Sequence, residues 1–302
     1  MELSQFLQVA KSAEVRFSEA ELEVLKRVTG GIAERFDLET ILADLSTAVR
    51  FVNSRYARDE VGENSVEALR LVRAKVNRAL ALACDLATDE SREEDELKAH
   101  KAFFARVLAS RRSDLPRARV FTTNYDLVIE KALDVLGIDY IDGFVGTVNR
   151  TLRLDVYSRE YYMATAIGSE RRPRRLADFL YLYKVHGSLN WRSRANRVAA
   201  GSDRVVQISN YRATPIDDLA LIYPTPQKEA DTLGYPYSDL LRAFGSTLTE
   251  PDTALFTIGY GYSDEHINRI ISQSLASNAT LAIVLVDPFI LETTEEPALA
   301  DT

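Results

Sequence analysis

The sequence predicts an α/β fold, an open parallel sheet preceded by a helical subdomain, and three observations carry that expectation. Residues 18 to about 112 show apolar positions at helical spacing with no strand signal between them. After Pro116 the texture changes to short apolar runs, each followed by a helix-like segment. Four of those runs end in polar or glycine-rich residues, which is where an open α/β sheet receives a ligand. The expected division is a helical subdomain over residues 1–115 and the α/β domain over 116–302.

The helical part starts with a capping box, Ser18 with Glu21, and Gly30 is the expected stop. A second stripe follows Asp37 through Ile41, Leu42, Leu45, Val49 and Val52. A third follows Ser65 through Leu69, Val72, Val76, Leu80 and Ala83, and a fourth uses Leu97, Phe104 and Leu108. Such one-sided stripes pack on one another or on a sheet, so a scaffold role is expected.

In the second part, Arg119–Thr123 reads as a strand. Asp126 then caps a helix with Ile129, Ala132, Leu133 and Leu136 on one face and Gly137 as its stop. Leu180–Val185 reads as a strand ending at His186-Gly187-Ser188. Ala254–Ile258 is a third, ending at Gly259-Tyr260-Gly261, after which Ser263 or Asp264 opens a helix carrying Ile267, Ile270, Ile271 and Leu275. Thr280–Val286 is a fourth, ending at Asp287. The stretches 143–178 and 191–239, rich in Arg, Tyr, Gly and Pro, read as long loop insertions overhanging a site.

Composition narrows the function classes. Of 302 residues, 46% are hydrophobic and 27% charged, which excludes a disordered or collagen-like chain. The net charge of −8 argues against a protein that coats duplex DNA, since neutralised phosphates supply most of that affinity. Nucleic acid is expected to be met only through a partner or through the arginine-rich islands Arg171-Arg172-Pro173-Arg174-Arg175 and Arg192-Ser193-Arg194. One cysteine, Cys84, and three histidines, His100, His186 and His266, do not make a Cys/His zinc module, so neither zinc nor any other metal is expected. The thiol count suits a reducing cytoplasm. The first fifteen residues lack the pattern of a secretory signal, and the longest apolar run, Leu281–Val286, has the length of a buried strand, so no membrane span is expected.

Taken singly, each strand-end residue has a plain structural role. Asn124 suits a turn, Asp126 a helix cap, His186 a hydrogen-bonded core position, and Gly259-Tyr260-Gly261 a tight turn. Taken together they are expected to converge on one crevice. There Gly259 and Gly261 permit close approach of main chain to a phosphate, and Asp287 stands where an acidic residue receives a ribose hydroxyl.

The segments Phe121–Asp126, Tyr183–Trp191 and Ile258–Ile267, in this order and spacing, resemble the sirtuin-like, Rossmann-type domains of bacterial anti-phage defence proteins. The similarity is nearest to the subunit that assembles with a HerA-type translocating ATPase. The resemblance implies a soluble NAD hydrolase, an enzyme with NAD as substrate that cleaves the nicotinamide–ribose bond and depletes NAD. It implies Asn124 as the residue orienting ribose and water, His186 as the base, Asp126 lining the nicotinamide pocket, and Thr123, Gly259 and Gly261 near ribose and phosphates. It further implies a homo-oligomer and the ATPase as partner. The alternative is a non-catalytic nucleotide-binding scaffold that controls a partner ATPase or nuclease.

The chain departs from the family in two respects. Deacylating sirtuins carry a four-cysteine zinc module that one cysteine cannot build, so hydrolysis is expected over deacylation. The family's Gly-Ala-Gly-x-Ser loop has no counterpart in residues 1–31 beyond Gly30-Gly31. The 302 residues are therefore expected to bind NAD weakly or not at all, with a further Gly-rich turn near the N-terminus of a longer natural chain.

Overall fold

The computed structural model describes residues 15–28, 45, 47, 48, 51, 63–85, 90–112, 114–163, 174–176, 178–194, 204–211, 219–221, 235–262 and 264–287. The chain forms two compact units, Met1–Tyr237 and Ser238–Thr302.

In the first unit α1 (Glu19–Val28), α2 (Glu63–Cys84) and α3 (Glu90–Ala109) are the described helices before the sheet. The capping box forms as expected: the Glu21 N–H donates to Ser18 Oγ at 3.3 Å and the Ser18 N–H donates to Glu21 Oε2 at 2.7 Å. Lys75 Nζ donates to the same carboxylate oxygen at 2.6 Å and to the Arg16 carbonyl at 3.0 Å, which ties α2 to the start of α1. Val72, Val76 and Ala79 of α2 are fully buried with Val15 and Leu45, and Cys84 packs against that cluster as an apolar side chain. Gly30, Ile41, Leu42, Val49, Val52 and the side chains of Leu80 and Ala83 lie outside the described residues. Phe104 of α3 packs with Leu133, Ile138, Leu180 and Leu182, so this helix lies against the sheet.

The sheet region of this unit runs β1 (Ala118–Thr122), α4 (Val128–Leu136), β2 (Asp139–Ile141), β3 (Phe144–Val145), β4 (Arg150–Leu152), a 3-10 turn over Leu154–Ser158, β5 (Tyr162–Met163), β6 (Arg174–Arg175), β7 (Phe179–Lys184), β8 (Gly187–Arg194), β9 (Arg204–Gln207) and β10 (Leu219–Leu221). Strands β1, β7 and β2 make a parallel sheet in the order β1-β7-β2. The central β7 is buried along its whole length, which explains its unbroken run of large side chains. Gly137 ends α4 with φ 66°, and the Gly137 and Ile138 N–H groups donate to the Asp134 and Leu133 carbonyls.

The segments 143–178 and 191–239, expected as loops, contain strands instead. An antiparallel sheet runs β10-β8-β9-β4-β3, and β5 pairs with β6. Its core is Trp191, 1% exposed, set edge-to-face on Phe144 at 5.2 Å.

The second unit is a βαβ element with one further helix. Helix α5 (Tyr237–Leu248) precedes β11 (Ala254–Ile258), α6 (Glu265–Ser277) and β12 (Ala282–Val286), and the two strands pair in parallel with Ile258 opposite Val286. Strand β11 has the predicted bounds. Asp264 caps α6, its Oδ1 accepting from the His266 N–H at 3.0 Å and the Ile267 N–H at 3.2 Å. Ile267 and Ile271 are buried as the stripe requires, but Leu275 is exposed.

Candidate functional site

Strands β1 and β7 are neighbours in a parallel sheet with Thr122 opposite Lys184. Asn124 and His186 each follow those register partners by two residues, so both lie just beyond the same carboxyl edge. Neighbouring strands lie about 4.8 Å apart, which puts the two turns side by side. The Val185 N–H donates to the Thr122 carbonyl at 3.0 Å and carries the pairing past the strand ends.

The turn after β1 is held by its own side chains. Thr122 Oγ1 accepts from the Asn124 N–H at 3.1 Å, and Asp126 Oδ1 accepts from the Val128 N–H at 3.0 Å. Asp126 is therefore not the helix cap that was expected. Leu127 occupies that position, and Asp126 closes an Asx turn just ahead of it. The Tyr125 carbonyl accepts from the Leu189 N–H at 3.0 Å and from Ser188 Oγ at 3.3 Å, which stitches this turn to the segment after His186.

The two central residues differ in exposure. Asn124 is exposed, whereas His186 is only 8% exposed. Gly187, at φ 91°, turns the chain at once into β8, so His186 is a buried residue at the β7–β8 junction. Thr123 and Asp126 are half-buried in the same turn. An exposed Asn124 and a buried His186 are thus the carboxamide and imidazole on the two adjoining turns.

Behind this edge, Phe121 stacks on Tyr183 at 4.3 Å and Tyr183 on Tyr157 at 3.9 Å. The Tyr157 hydroxyl donates to the Leu182 carbonyl at 2.8 Å, and burial pushes that phenol well above its ordinary range, so it stays a proton donor. Two residues that sequence reasoning missed lie beneath the turn. Lys184 Nζ donates to the Asp126 carbonyl and to Glu130 Oε1, the latter at 3.0 Å. Burial pushes the Glu130 carboxyl up, against the opposing pull of the Lys184 charge. The available signal was a lysine inside the apolar run directly ahead of His186.

In the second unit Gly259 and Gly261 follow β11, and Asp287 follows β12 on the same carboxyl edge. Gly259 has φ 60°, and a Cβ placed at either glycine meets nothing within 4 Å, so main chain is open to an approaching group. Tyr260, between them, is fixed by its hydroxyl donating to Asn268 Oδ1 at 3.0 Å. Thus Thr123, Asn124, Asp126 and His186 are brought together in one unit, and Gly259, Gly261 and Asp287 in the other.

The arginine islands are partly absorbed by the fold. Arg192 is buried, with Nη1 donating to the Leu189 and Trp191 carbonyls at 2.9 Å each, so it is not the surface contact expected. Arg175 and Arg117 both pair with Glu160, at 2.7 and 2.8 Å. Arg171, Arg172 and Pro173 lie outside the described residues. Among the described residues no group of three or more His, Cys, Asp or Glu side chains is placed to hold a metal ion, and no helix is long and apolar enough to cross a membrane.

Residues 118–301, more than half of the chain, match a family model described as SIR2-like domain. A comparison with curated proteins found no match.

Proposed function

Because the chain belongs to the SIR2-like domain family, we propose that it hydrolyses NAD at the bond between nicotinamide and ribose. The observation that carries this reading is that Asn124 and His186 each follow by two residues the register partners Thr122 and Lys184, at the carboxyl edge of two adjacent parallel strands.

In the proposed reaction the C1′–N1 bond breaks and its electron pair moves onto the ring nitrogen, which turns the pyridinium into neutral nicotinamide. The sugar passes through an oxocarbenium-like state. A water oxygen adds to C1′ and gives up one proton, leaving ADP-ribose, nicotinamide and a proton. Asn124 orients the ribose and this water; a ribose hydroxyl passes its proton to His186 as charge develops and regains one from the attacking water, so the single proton released leaves through His186. Asp126 lines the nicotinamide pocket and Thr123 stands near the ribose. The glycines of the second unit, Gly259 and Gly261, approach phosphate with their main chain, and Asp287 accepts from a ribose hydroxyl.

The functional division proposed is 1–115 as a helical subdomain and 116–302 as the NAD-binding domain, supported by the reach of the family match. The wider role proposed is anti-phage defence in the bacterial cytoplasm by NAD depletion, as a homo-oligomer working with a HerA-type ATPase. The resemblance of the three motif segments supports it.

The test is direct. Purified protein, alone and with the ATPase, is incubated with NAD, and free nicotinamide and ADP-ribose are separated by chromatography. Equimolar release of both supports hydrolysis. Binding of NAD with no release under either condition would assign the chain to the nucleotide-binding scaffold class instead.

A further inference from the structure

Lys184 and Glu130 form an ion pair at 3.0 Å whose side chains are only 4% and 12% exposed. Such a pair is a poor choice for stability alone, because its desolvation offsets most of the attraction and apolar residues of similar size often serve as well. Its satisfaction is also incomplete: Glu130 Oε2 is buried with no hydrogen-bond partner among the described residues. The ammonium makes one further contact, and that contact leaves the pair. It donates to the main-chain carbonyl of Asp126, in the turn that bears Asn124.

Three elements meet at this nitrogen. Lys184 ends β7, two residues ahead of His186; Glu130 lies in the first turn of α4; Asp126 lies in the connection from β1. The neighbouring Tyr125 carbonyl is also held by the His186 segment, through the Leu189 N–H and Ser188 Oγ. Two successive peptide planes after Asn124 are therefore anchored to the chain that carries His186. On its other side, the Asn124 N–H is fixed to Thr122 Oγ1.

We propose that the buried Lys184–Glu130 pair is a positioning device for NAD cleavage, with Lys184 clamping the Asp126 carbonyl so that the Asn124 turn keeps a fixed place beside His186. This rests on the NAD-cleaving reading above. Lys184 touches neither substrate nor reacting atoms in this role. A displacement of about 1 Å in a positioned group can cost on the order of a hundredfold in rate, so a main-chain clamp is enough to matter.

The test uses the full chain, with Lys184→Met and the double variant Lys184→Met/Glu130→Leu. The single change strands a buried carboxyl, whereas the double removes both charges and keeps the site apolar, so its thermal unfolding midpoint stays close to that of the wild type. Nicotinamide release by the double variant is expected to show kcat lowered about tenfold or more with KM for NAD within about threefold, because the turn is misplaced and the binding groups remain. Hydrogen exchange is measured alongside. The amides of residues 124–128 are expected to exchange faster, while those of β7 keep their protection. A double variant with wild-type kcat, or with unchanged exchange over 124–128, would overturn the clamp. If the wild-type protein releases no nicotinamide, the functional reading falls by itself and the exchange measurement still decides whether Lys184 holds the turn.

Discussion

Replacing Asn124 by alanine separates chemistry from folding, and the structure sets both magnitudes. The side chain is exposed, and the one hydrogen bond Asn124 makes among the described residues runs from its main-chain N–H to Thr122 Oγ1, which alanine retains. The stability change is therefore expected within about 0.5 kcal/mol, the range of surface substitutions away from special features. Loss of a positioned polar group in the reaction is expected to lower the rate by about 10² to 10⁴-fold. At 1.36 kcal/mol per decade that is roughly 3 to 5 kcal/mol of barrier, several times the folding effect. His186 does not separate so cleanly: it is 8% exposed, and truncation to alanine leaves a cavity at the β7–β8 junction. His186→Gln, which keeps most of the volume and a polar end, is the matched variant, with a similar rate loss expected. The assay is initial-rate nicotinamide release at saturating NAD, with thermal unfolding of the same preparations. An Asn124→Ala protein that stays within about fivefold of wild-type rate would refute the assignment, since no general acid–base or orienting role is that small.

How much of this was legible depends on how local each element's logic is. Strand β11 and helix α6 carry their own signals, an apolar run and then a capped amphipathic stripe, and the Ala254–Ile258 bounds and the Asp264 cap follow from residues next to one another. The placement of Asn124 and His186 at strand ends was legible for the same reason, because β1 and β7 are short apolar runs with a polar break after each. Strand β8 was not. Its sequence, with two arginines and two serines, has the composition of a loop, and only the fold reveals that Arg192 points inward and is satisfied by main-chain carbonyls. Strands β3, β4, β9 and β10 are too short to show a period, and β4 pairs with a segment distant in sequence, Arg150 opposite Gln207 of β9. Asp126 was given the wrong turn role because an Asx turn and a helix cap have the same sequence signature one residue apart. The Lys184–Glu130 pair joins residues on different elements, which no spacing rule connects.

Three further outcomes are expected. Asp264→Ala removes the acceptor of two helix N-terminal N–H groups and is expected to cost about 1 kcal/mol, at most about 2, read as a lower midpoint in urea unfolding. Gly137→Ala meets no atom within 4 Å, so its cost is that of φ 66° alone, about 1 kcal/mol, and Gly137→Asn is expected to lose less by the same measurement. The last concerns pH. Partial burial raises the Glu160 carboxyl, but hydrogen bonds from Arg117 and Arg175 outweigh it and hold the group below its ordinary value. A carboxyl whose folded pKa is lowered binds protons more readily in the unfolded chain, so its stabilising contribution is complete above the unfolded value of about 4.3 and declines as pH falls through the folded value. Glu160→Gln removes this titration while leaving Arg117 and Arg175 short of a counter-charge. The variant is therefore expected to unfold at a lower temperature than wild type at about pH 7, with the gap closing as pH drops below about 4. Thermal scans over that range read it, and a gap that stays constant or widens toward acid would show that Glu160 is not the carboxylate held by this pair of arginines.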